Sequence, residues 1–336
     1  MNEWLLQNLV CPRDKRPLEL REDRLTCLEG HAYAVVDGIP IMLFEDENPT
    51  HDYLLRSLDQ VAHIEAGEPV DSVLRKNESA AGDVDGFVQG ELPYTNGNLY
   101  FSVQHKLTRY PLPHIRLPQS KGARLLDIGC NWGRWTITAA QKGYRSVGID
   151  PSLDAVLAAR RIARQLGVEP DFVVGDARYL PFAAGCFDVV FTYGVLQHFS
   201  KENARITLDE MDRVLAAGGK VLAQMPNKYG IRSFQQRWRR GFTEGEGFEV
   251  RYWTPAELVE TFEKLFGKTK LTADCYFGLG IQAADADLLP ARFKAVVYSS
   301  EALRKISELV PPLARVADSV YLESIKTNGD RSRPAK

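Results

Sequence analysis

The residues best suited to chemistry lie in the segment LLDIGCNWGRW, residues 125–135. An apolar stretch ends in Asp127 and then turns through Gly129 and Gly133 into a predicted helix. Because glycine has no Cβ, backbone at this turn can approach a ligand closely, and the helix start offers free N–H groups. The dinucleotide-binding motif has a further glycine where this chain has Asn131, and Asp127 would repel a phosphate. The segment therefore favours a cofactor that carries positive charge, such as an ammonium and a sulfonium.

Two further carboxylates follow at comparable positions. Asp150 ends the apolar segment SVGID and could accept both hydroxyls of a ribose, in a nicotinamide dinucleotide as well as in S-adenosylmethionine. Asp176 ends PDFVVGD, where a carboxylate could accept the amino group of an adenine. Since parallel strands end at one edge of a sheet, the three carboxylates are expected to surround a single ligand.

The elements that position these residues alternate between strands and helices. Strands are predicted at 123–129, 146–150, 170–176, 186–195 and 218–226, and helices at 133–142, 152–166 and 202–215. This alternation predicts parallel βαβ units and a doubly wound α/β sheet. Farther along, helices are predicted at 255–266, 288–295 and 299–316, and strands at 269–277 and 319–326.

Residues 121–226 resemble the class I S-adenosylmethionine-dependent methyltransferases, of the type common in quinone and small-molecule methylation. Besides the three carboxylates and their glycines, the matching segments are LPF at 180–182, FDVV at 187–190, GVLQHF at 194–199 and VLAAGGKVL at 214–222. The resemblance implies a Rossmann-like, mostly parallel sheet of seven strands whose antiparallel last strand is SVYLESIK. It also implies S-adenosyl-L-methionine as cofactor and in-line displacement of its methyl group. Asn131 departs from the glycine of many members, but asparagine tolerates left-handed backbone well.

The resemblance also assigns cofactor-binding roles to individual residues. The methionine portion would contact Asp127, Gly129, Cys130, Asn131 and Gly133. The ribose would contact Asp150, with Pro151 beside it, and the adenine would contact Asp176 and Ala177. Tyr193, Gly194 and Val195 would form a floor beneath the sulfonium. His198 follows the fourth strand, at the rim where the acceptor must sit, and is the candidate catalytic base. The alternative is a histidine that hydrogen-bonds the loop or packs against the cofactor.

Residues 1–44 are predicted to form a small, turn-rich β module. Its predicted strands cover 18–20, 24–27, 31–36 and 39–43. The module resembles the small zinc-ribbon-like proteins that activate certain tRNA and translation-factor methyltransferases. A structural zinc site uses four Cys or His ligands, whereas this module offers Cys11, Asp14, Cys27 and His31. The prediction assigns no metal and interprets the module as a degenerate ribbon, held by its own hydrophobic core, that braces the catalytic domain; bound zinc is the alternative.

The remaining segments complete the predicted organisation. Residues 45–91 form an acidic linker with one helix around 51–66, the methyltransferase domain covers 92–326 with a short helix at 98–108, and the polar tail 327–336 is expected to be disordered. An acceptor-side insertion at 227–254 contains KYGIRSFQQRWRR, which has five basic residues and no acidic one. This basic segment is interpreted either as an electropositive lid over an anionic acceptor or as a solvated helix face.

Composition narrows the functional class. A net charge of −2 over 336 residues gives no overall electrostatic field that would attract nucleic acid or membranes. Five scattered cysteines argue against a disulfide framework, and neither a signal peptide nor a long apolar span is found, so a cytoplasmic protein is expected. The predicted function is methyl transfer to a small-molecule acceptor, such as a glycan, lipid or specialised metabolite, with no obligate protein partner. The alternatives are a tRNA or protein methyltransferase with a fused activator, and a non-catalytic scaffold that retains the fold.

Overall fold

The computed structural model describes residues 1–45, 49, 51–74 and 83–327. The strands are β1 Glu19–Arg21, β2 Arg24–Thr26, β3 Ala32–Val36, β4 Ile39–Met42, β5 Arg124–Ile128, β6 Arg145–Asp150, β7 Asp171–Gly175, β8 Phe187–Tyr193, β9 Leu215–Pro226, β10 Thr269–Cys275 and β11 Ser319–Ile325. The helices are α1 Glu3–Asn8, α2 Asp52–Glu65, α3 Val70–Val73, α4 Gly86–Asn96, α5 Arg134–Gln141, α6 Leu153–Gln165, α7 Lys201–Val214, α8 Ile231–Arg239, α9 Pro255–Phe266 and α10 Ala291–Leu309. Short 3-10 segments cover Asn98–Val103, Ala177–Tyr179, Leu196–His198, Ala283–Leu288 and Pro311–Val316.

The strands of the described residues form one sheet in the order β1-β2-β3-β4-β7-β6-β5-β8-β9-β11-β10. Strands β4 and β7, β7 and β6, β6 and β5, β5 and β8, and β8 and β9 pair in parallel. Strand β11 runs antiparallel between β9 and β10, so SVYLESIK takes the antiparallel position that the resemblance implied. Seven strands, β5–β11, come from the predicted methyltransferase domain. The sheet as a whole differs from the predicted seven strands, because the four strands of the N-terminal module extend it to eleven.

Apolar side chains pack on both faces of the sheet. In β7 the side chain of Val173 belongs to one core cluster, while its neighbours Phe172 and Val174 belong to another. Successive residues of a strand point to opposite faces, so this split is what a sheet covered on both sides requires. The first cluster includes residues of α7 and α9, and the second includes residues of α2, α4 and α6.

The N-terminal module joins the main sheet directly. Ile41 and Met42 of β4 pair in parallel with Val174 and Gly175 of β7. Leu5, Leu9, Leu18, Leu25 and Tyr33 of the module are buried in the same cluster as Ile149, Val173 and Phe187. The predicted separate hydrophobic core was therefore wrong, since the apolar side chains of so small a module find their packing partners on the catalytic sheet.

Helix boundaries differ from the sequence prediction mainly outside the central βαβ units. The helix expected at 51–66 is α2, whereas α4 was not predicted and the helix expected at 98–108 is only a 3-10 segment. The two helices expected at 288–295 and 299–316 are instead α10 and a following 3-10 segment. Part of the acidic linker and the tail from residue 328 lie outside the described residues. No helix in the described ranges has the length and apolar character needed to cross a membrane.

Candidate cofactor-binding site

The turn after β5 adopts the left-handed backbone conformation at three residues. The φ angles are 73° at Gly129, 46° at Asn131 and 80° at Gly133, so asparagine does occupy the left-handed region as expected. An ideal Cβ on Gly129 would lie 2.2 Å from the Cγ2 atom of Val195. Glycine at residue 129 thus meets two needs at once, because it permits the turn and lets the loop after β8 approach it.

Asp127 carries an unsatisfied buried carboxylate oxygen. Its Oδ2 atom accepts a hydrogen bond from the Thr136 hydroxyl at 2.6 Å, and its Oδ1 atom has no partner among the described residues. Burial raises the pKa of Asp127 to about 7, and the nearby charge of Asp150 adds to the effect. A buried oxygen without a donor fits a ligand that brings its own N–H groups and positive charge.

Asp150 lies at the end of β6, beside the same turn. Its Oδ2 atom accepts from the Asn131 N–H at 2.9 Å and its Oδ1 atom from the Ser152 N–H at 3.0 Å. Burial raises its pKa to about 6, and the two backbone hydrogen bonds oppose that rise. Each carboxylate oxygen retains a free lone pair, so the side chain can still accept two ribose hydroxyls.

The loop after Asp150 is held by helix α2 of the predicted linker. The Ser57 hydroxyl donates to the Pro151 carbonyl at 2.7 Å and accepts from the Leu153 N–H at 2.9 Å. Gln60 donates to the Asp154 carboxylate at 3.1 Å. The segment interpreted as a linker therefore contributes to the shape of the loop after Asp150, which is predicted to bind the ribose, and the sequence did not reveal this contact.

Asp176 is not the free acceptor that the sequence suggested. Its carboxylate forms a buried ion pair with the Arg178 guanidinium, with the shortest distance 2.7 Å, and also accepts from the Arg178 N–H at 2.8 Å. The two residues are only two positions apart in GDARYLPF, so the arginine that follows the aspartate was the signal for this ion pair in the sequence. A ligand that hydrogen-bonds Asp176 must share the carboxylate with Arg178.

An aromatic cleft lies next to Asp176. Its lining combines Asp176 and Tyr179 with the N-terminal residues Met42, Leu43 and Phe44 and with Leu54 of α2. The rings of Phe44 and Tyr179 lie 5.0 Å apart, centroid to centroid. The cleft is closed in this structure, because it is too narrow for a water molecule. A flat heterocycle such as adenine would have to move the Phe44 and Tyr179 rings apart to enter it. Ala177, which follows Asp176, is buried.

The remaining predicted residues lie around the same loops. Cys130 is buried, and burial raises the pKa of its thiol well above the usual range. The Gly194 N–H donates to the Gln224 side chain at 2.8 Å. The Tyr193 hydroxyl donates to Asp274 at 2.8 Å, so it is engaged on the side of β10. Val195 is the residue that contacts the Gly129 turn.

His198 has both ring nitrogens in hydrogen bonds. Its Nδ1 atom lies 2.7 Å from the Phe248 carbonyl, which only an N–H can satisfy, and its Nε2 atom lies 3.1 Å from the Gln197 side-chain nitrogen. The ring stacks on Phe248 at 3.8 Å, and burial lowers the pKa of His198 to about 4. This arrangement favours the alternative in which His198 holds the loop.

A cavity of about 220 Å³ lies beside the His198 loop. Its charged lining residues are Lys201, Lys228, Arg237, Arg240, Arg251 and Glu244. The Arg251 guanidinium donates to the His198 carbonyl at 2.7 Å, and the Arg251 N–H donates to the Gln197 carbonyl at 2.8 Å. The cavity is thus attached to the loop that begins at Val195.

Comparison with known proteins identifies the family of the chain. The family described as Methyltransferase domain matches residues 125–219. The ubiquinone biosynthesis O-methyltransferase of Azorhizobium caulinodans is 38% identical over 188 residues, which cover 48% of this chain and 72% of that protein. The chain belongs to the class I S-adenosylmethionine-dependent methyltransferases. The family fixes S-adenosylmethionine as the cofactor, and the unpartnered Asp127 oxygen and the glycine turn fit it.

Other relatives of this methyltransferase differ in acceptor. Norajmaline N-methyltransferase of Rauvolfia serpentina is 37% identical over 108 residues, or 31% of this chain and 36% of that protein. A tRNA (carboxymethyluridine(34)-5-O)-methyltransferase of Xenopus tropicalis is 36% identical over 103 residues, or 30% of this chain and 15% of that protein. The chain spans about a third of the length of the first of these proteins and less of the second. The comparisons therefore leave the acceptor class open.

Proposed function

We propose that this methyltransferase transfers the methyl group of S-adenosylmethionine to a small anionic acceptor. The observation that carries the proposal is the basic cavity beside the His198 loop, which five cationic side chains and one carboxylate line. In this proposal the cofactor occupies the cleft between the turn after β5 and the ends of β6 and β7, where Asp127, Asp150 and Asp176 lie.

The charge balance of the cavity supports an anionic ligand. Lys201 pairs with Glu257 at 2.8 Å and Arg240 with Glu249 at 3.2 Å. The other three cations, Lys228, Arg237 and Arg251, form no ion pair with a carboxylate in the part of the chain that the structure describes. The guanidinium groups of Arg237 and Arg251 donate to backbone carbonyls there. A phosphate or carboxylate in the cavity would supply the missing negative charge.

The position of the cavity supports a role in acceptor binding. Val195 contacts the cofactor turn at Gly129, and three residues later the His198 carbonyl receives the Arg251 guanidinium. An acceptor anchored by its anionic group in the cavity would therefore reach toward the floor predicted beneath the sulfonium. Holding acceptor and methyl group in line lowers the barrier by removing the entropy cost of alignment.

The proposal needs no base at His198. Both ring nitrogens are occupied, so the histidine positions the loop between Val195 and the cavity. An acceptor that loses its proton without help, or a nucleophile that carries a lone pair at neutral pH, suits such a site.

A methyl-transfer screen tests the proposal. Purified protein with methyl-labelled S-adenosylmethionine is offered phosphorylated and carboxylated metabolites, neutral glycans, phospholipids and tRNA. Transfer to a small anionic compound is the expected result. Transfer only to tRNA or to a neutral compound would reject the anionic small-molecule acceptor, and failure to bind S-adenosylmethionine in calorimetry would favour the non-catalytic scaffold.

Charge reversal then tests the cavity itself. Arg237→Glu removes an unpaired cation from the lining and is expected to raise the acceptor KM at least about tenfold, since a charge-assisted hydrogen bond contributes about 1.5–3 kcal/mol. Arg239→Glu is the matched control, because Arg239 is exposed on the same helix and does not line the cavity. Equal effects of the two variants would show that the cavity does not bind the acceptor.

A further inference from the structure

Four side chains of the kinds that bind metals meet in the N-terminal module, outside the proposed cofactor site. The ligand atoms of Cys11, Asp14, Cys27 and His31 all lie within 4.8 Å of one another. The His31 Nδ1 atom is 3.4 Å from the Cys11 sulfur, 3.5 Å from the Cys27 sulfur and 3.3 Å from the Asp14 Oδ2 atom. The Cys27 sulfur is 3.5 Å from the same carboxylate oxygen.

These separations match the edges of a zinc-centred tetrahedron. Zinc binds sulfur at about 2.3 Å, imidazole nitrogen at about 2.0–2.1 Å and carboxylate oxygen at about 2.0–2.2 Å. Tetrahedral angles then place nitrogen about 3.5 Å from sulfur and about 3.4 Å from oxygen, and sulfur about 3.6 Å from oxygen. Each of the four measured distances lies within about 0.2 Å of its expected edge. The other two pairs, from the Cys11 sulfur to the Cys27 sulfur and to the Asp14 carboxylate, lie within 4.8 Å, so a central ion fits once the Cys11 side chain adjusts.

Two tight turns place the ligands in pairs. The Lys15 N–H donates to the Cys11 carbonyl at 2.8 Å, with Lys15 at a φ of 61°. The Gly30 N–H donates to the Cys27 carbonyl at 3.0 Å, with Gly30 at a φ of 84°. Each turn therefore brings a cysteine near a second ligand, Asp14 in the first and His31 in the second.

Neighbouring groups orient the ligands. The Arg16 N–H donates to the Oδ1 atom of Asp14 at 3.0 Å, which leaves the Oδ2 atom for the cluster. The buried Tyr33 hydroxyl lies 3.2 Å from the Cys11 sulfur and can donate to a thiolate there. Hydrogen bonds of this kind fix the direction of metal ligands and are typical of built metal sites.

We propose that Cys11, Asp14, Cys27 and His31 bind one Zn²⁺ ion. Two sulfurs with a nitrogen suit zinc better than magnesium or calcium, which prefer oxygen ligands. Because all four positions of the tetrahedron come from the protein, the site is structural and has no open position for a substrate. The sequence interpretation without metal is revised here, since Asp14 completes the ligand set.

Metal analysis of the full chain tests the proposal. Protein expressed with added zinc and then desalted is measured by inductively coupled plasma mass spectrometry, with about one zinc per chain expected. Asp14→Ala and Cys27→Ser are expected to lose most of the metal. Cys186→Ser is the matched control, because Cys186 lies outside the cluster. Zinc content that stays the same in the cluster variants, or another metal at full occupancy in the wild type, would overturn the assignment.

A second pair of measurements guards against variants that fail to fold. Asp14→Cys is expected to keep about one zinc per chain, because it creates a set of three cysteines and one histidine. Wild-type protein loaded with Co²⁺ is expected to show the visible absorption of tetrahedral cobalt and the near-ultraviolet band of thiolate ligation. Absence of the thiolate band, or loss of zinc in Asp14→Cys protein that remains folded by circular dichroism, would refute the site.

Discussion

The buried carboxylate of Asp127 is expected to destabilise the protein in the absence of cofactor. Burial raises its pKa in the folded protein to about 7, compared with a usual value of 3.8. A group whose folded pKa exceeds its unfolded pKa binds protons more tightly in the folded state. The stabilisation from that proton is complete below the unfolded pKa and is lost as the pH rises through about 7. At pH 8 the folded protein therefore carries the full cost of the buried charge.

The magnitude follows from the two pKa values. Each pKa unit is worth about 1.4 kcal/mol, so the difference corresponds to an upper limit of about 4 kcal/mol. Asp127→Asn removes the charge and keeps an acceptor for the Thr136 hydroxyl, but it leaves an amide N–H to satisfy, which costs about 1–3 kcal/mol. The expected net gain at pH 8 is about 1–3 kcal/mol. With an unfolding entropy of about 2 cal/mol/K per residue, the Tm rises by about 1–4 °C.

Thermal unfolding of cofactor-free protein at pH 8 and pH 5 measures this effect. Asp127→Asn is expected to exceed the wild-type Tm at pH 8, with the advantage reduced or absent at pH 5, where wild-type Asp127 is mostly protonated. The same variant should bind S-adenosylmethionine more weakly, because the negative charge near the ammonium is gone. Asp287→Asn is the control, since the Asp287 side chain is 83% exposed. An equal Tm difference at the two pH values would refute the reasoning.

Three further predictions concern the same cleft. Asp150→Asn places an amide against the Asn131 or Ser152 N–H and is expected to raise the Kd for S-adenosylmethionine about 10- to 100-fold in calorimetry, from about 1.5–3 kcal/mol; an unchanged Kd would exclude the ribose role. Gly129→Ala sets a Cβ 2.2 Å from the Val195 side chain at a φ of 73°, so Tm and cofactor affinity should both fall, and added Val195→Ala should recover part of the Tm. Because burial lowers the pKa of His198 to about 4, the rate–pH profile is expected to show no histidine inflection near 6.5. An inflection near 6.5 that disappears in the His198→Asn variant would instead show that His198 acts as the base.

The sequence was sufficient to predict those elements whose structure depends mainly on their own residues. The turn at Gly129 and the position of Asp150 follow from apolar strands that end in glycine and aspartate, a pattern contained within a few residues. The antiparallel position of β11 followed from the family resemblance. Local patterns of this kind specify a strand, a turn and the residue at its end, and they gave the central βαβ units correctly.

Contacts between distant segments could not be predicted in the same way. Arg134, the first residue of α5, forms a buried ion pair with Asp285 at 3.3 Å, and the Tyr100 hydroxyl donates to the same carboxylate. No periodicity in the sequence marks these three residues as partners. The pairing of β4 with β7 was missed for the same reason, because a strand of four residues carries little information about its neighbour.

The position of β4 places the N-terminal module beside the proposed cofactor cleft. Met42 pairs with Gly175, the residue before Asp176, and Phe44 and Tyr179 line the cleft together. An ideal Cβ on Gly175 would lie 2.8 Å from the Ile149 side chain, so β6, β7 and β4 are tightly packed there. A displacement of the module would therefore move Met42 and Phe44, which lie beside Asp176.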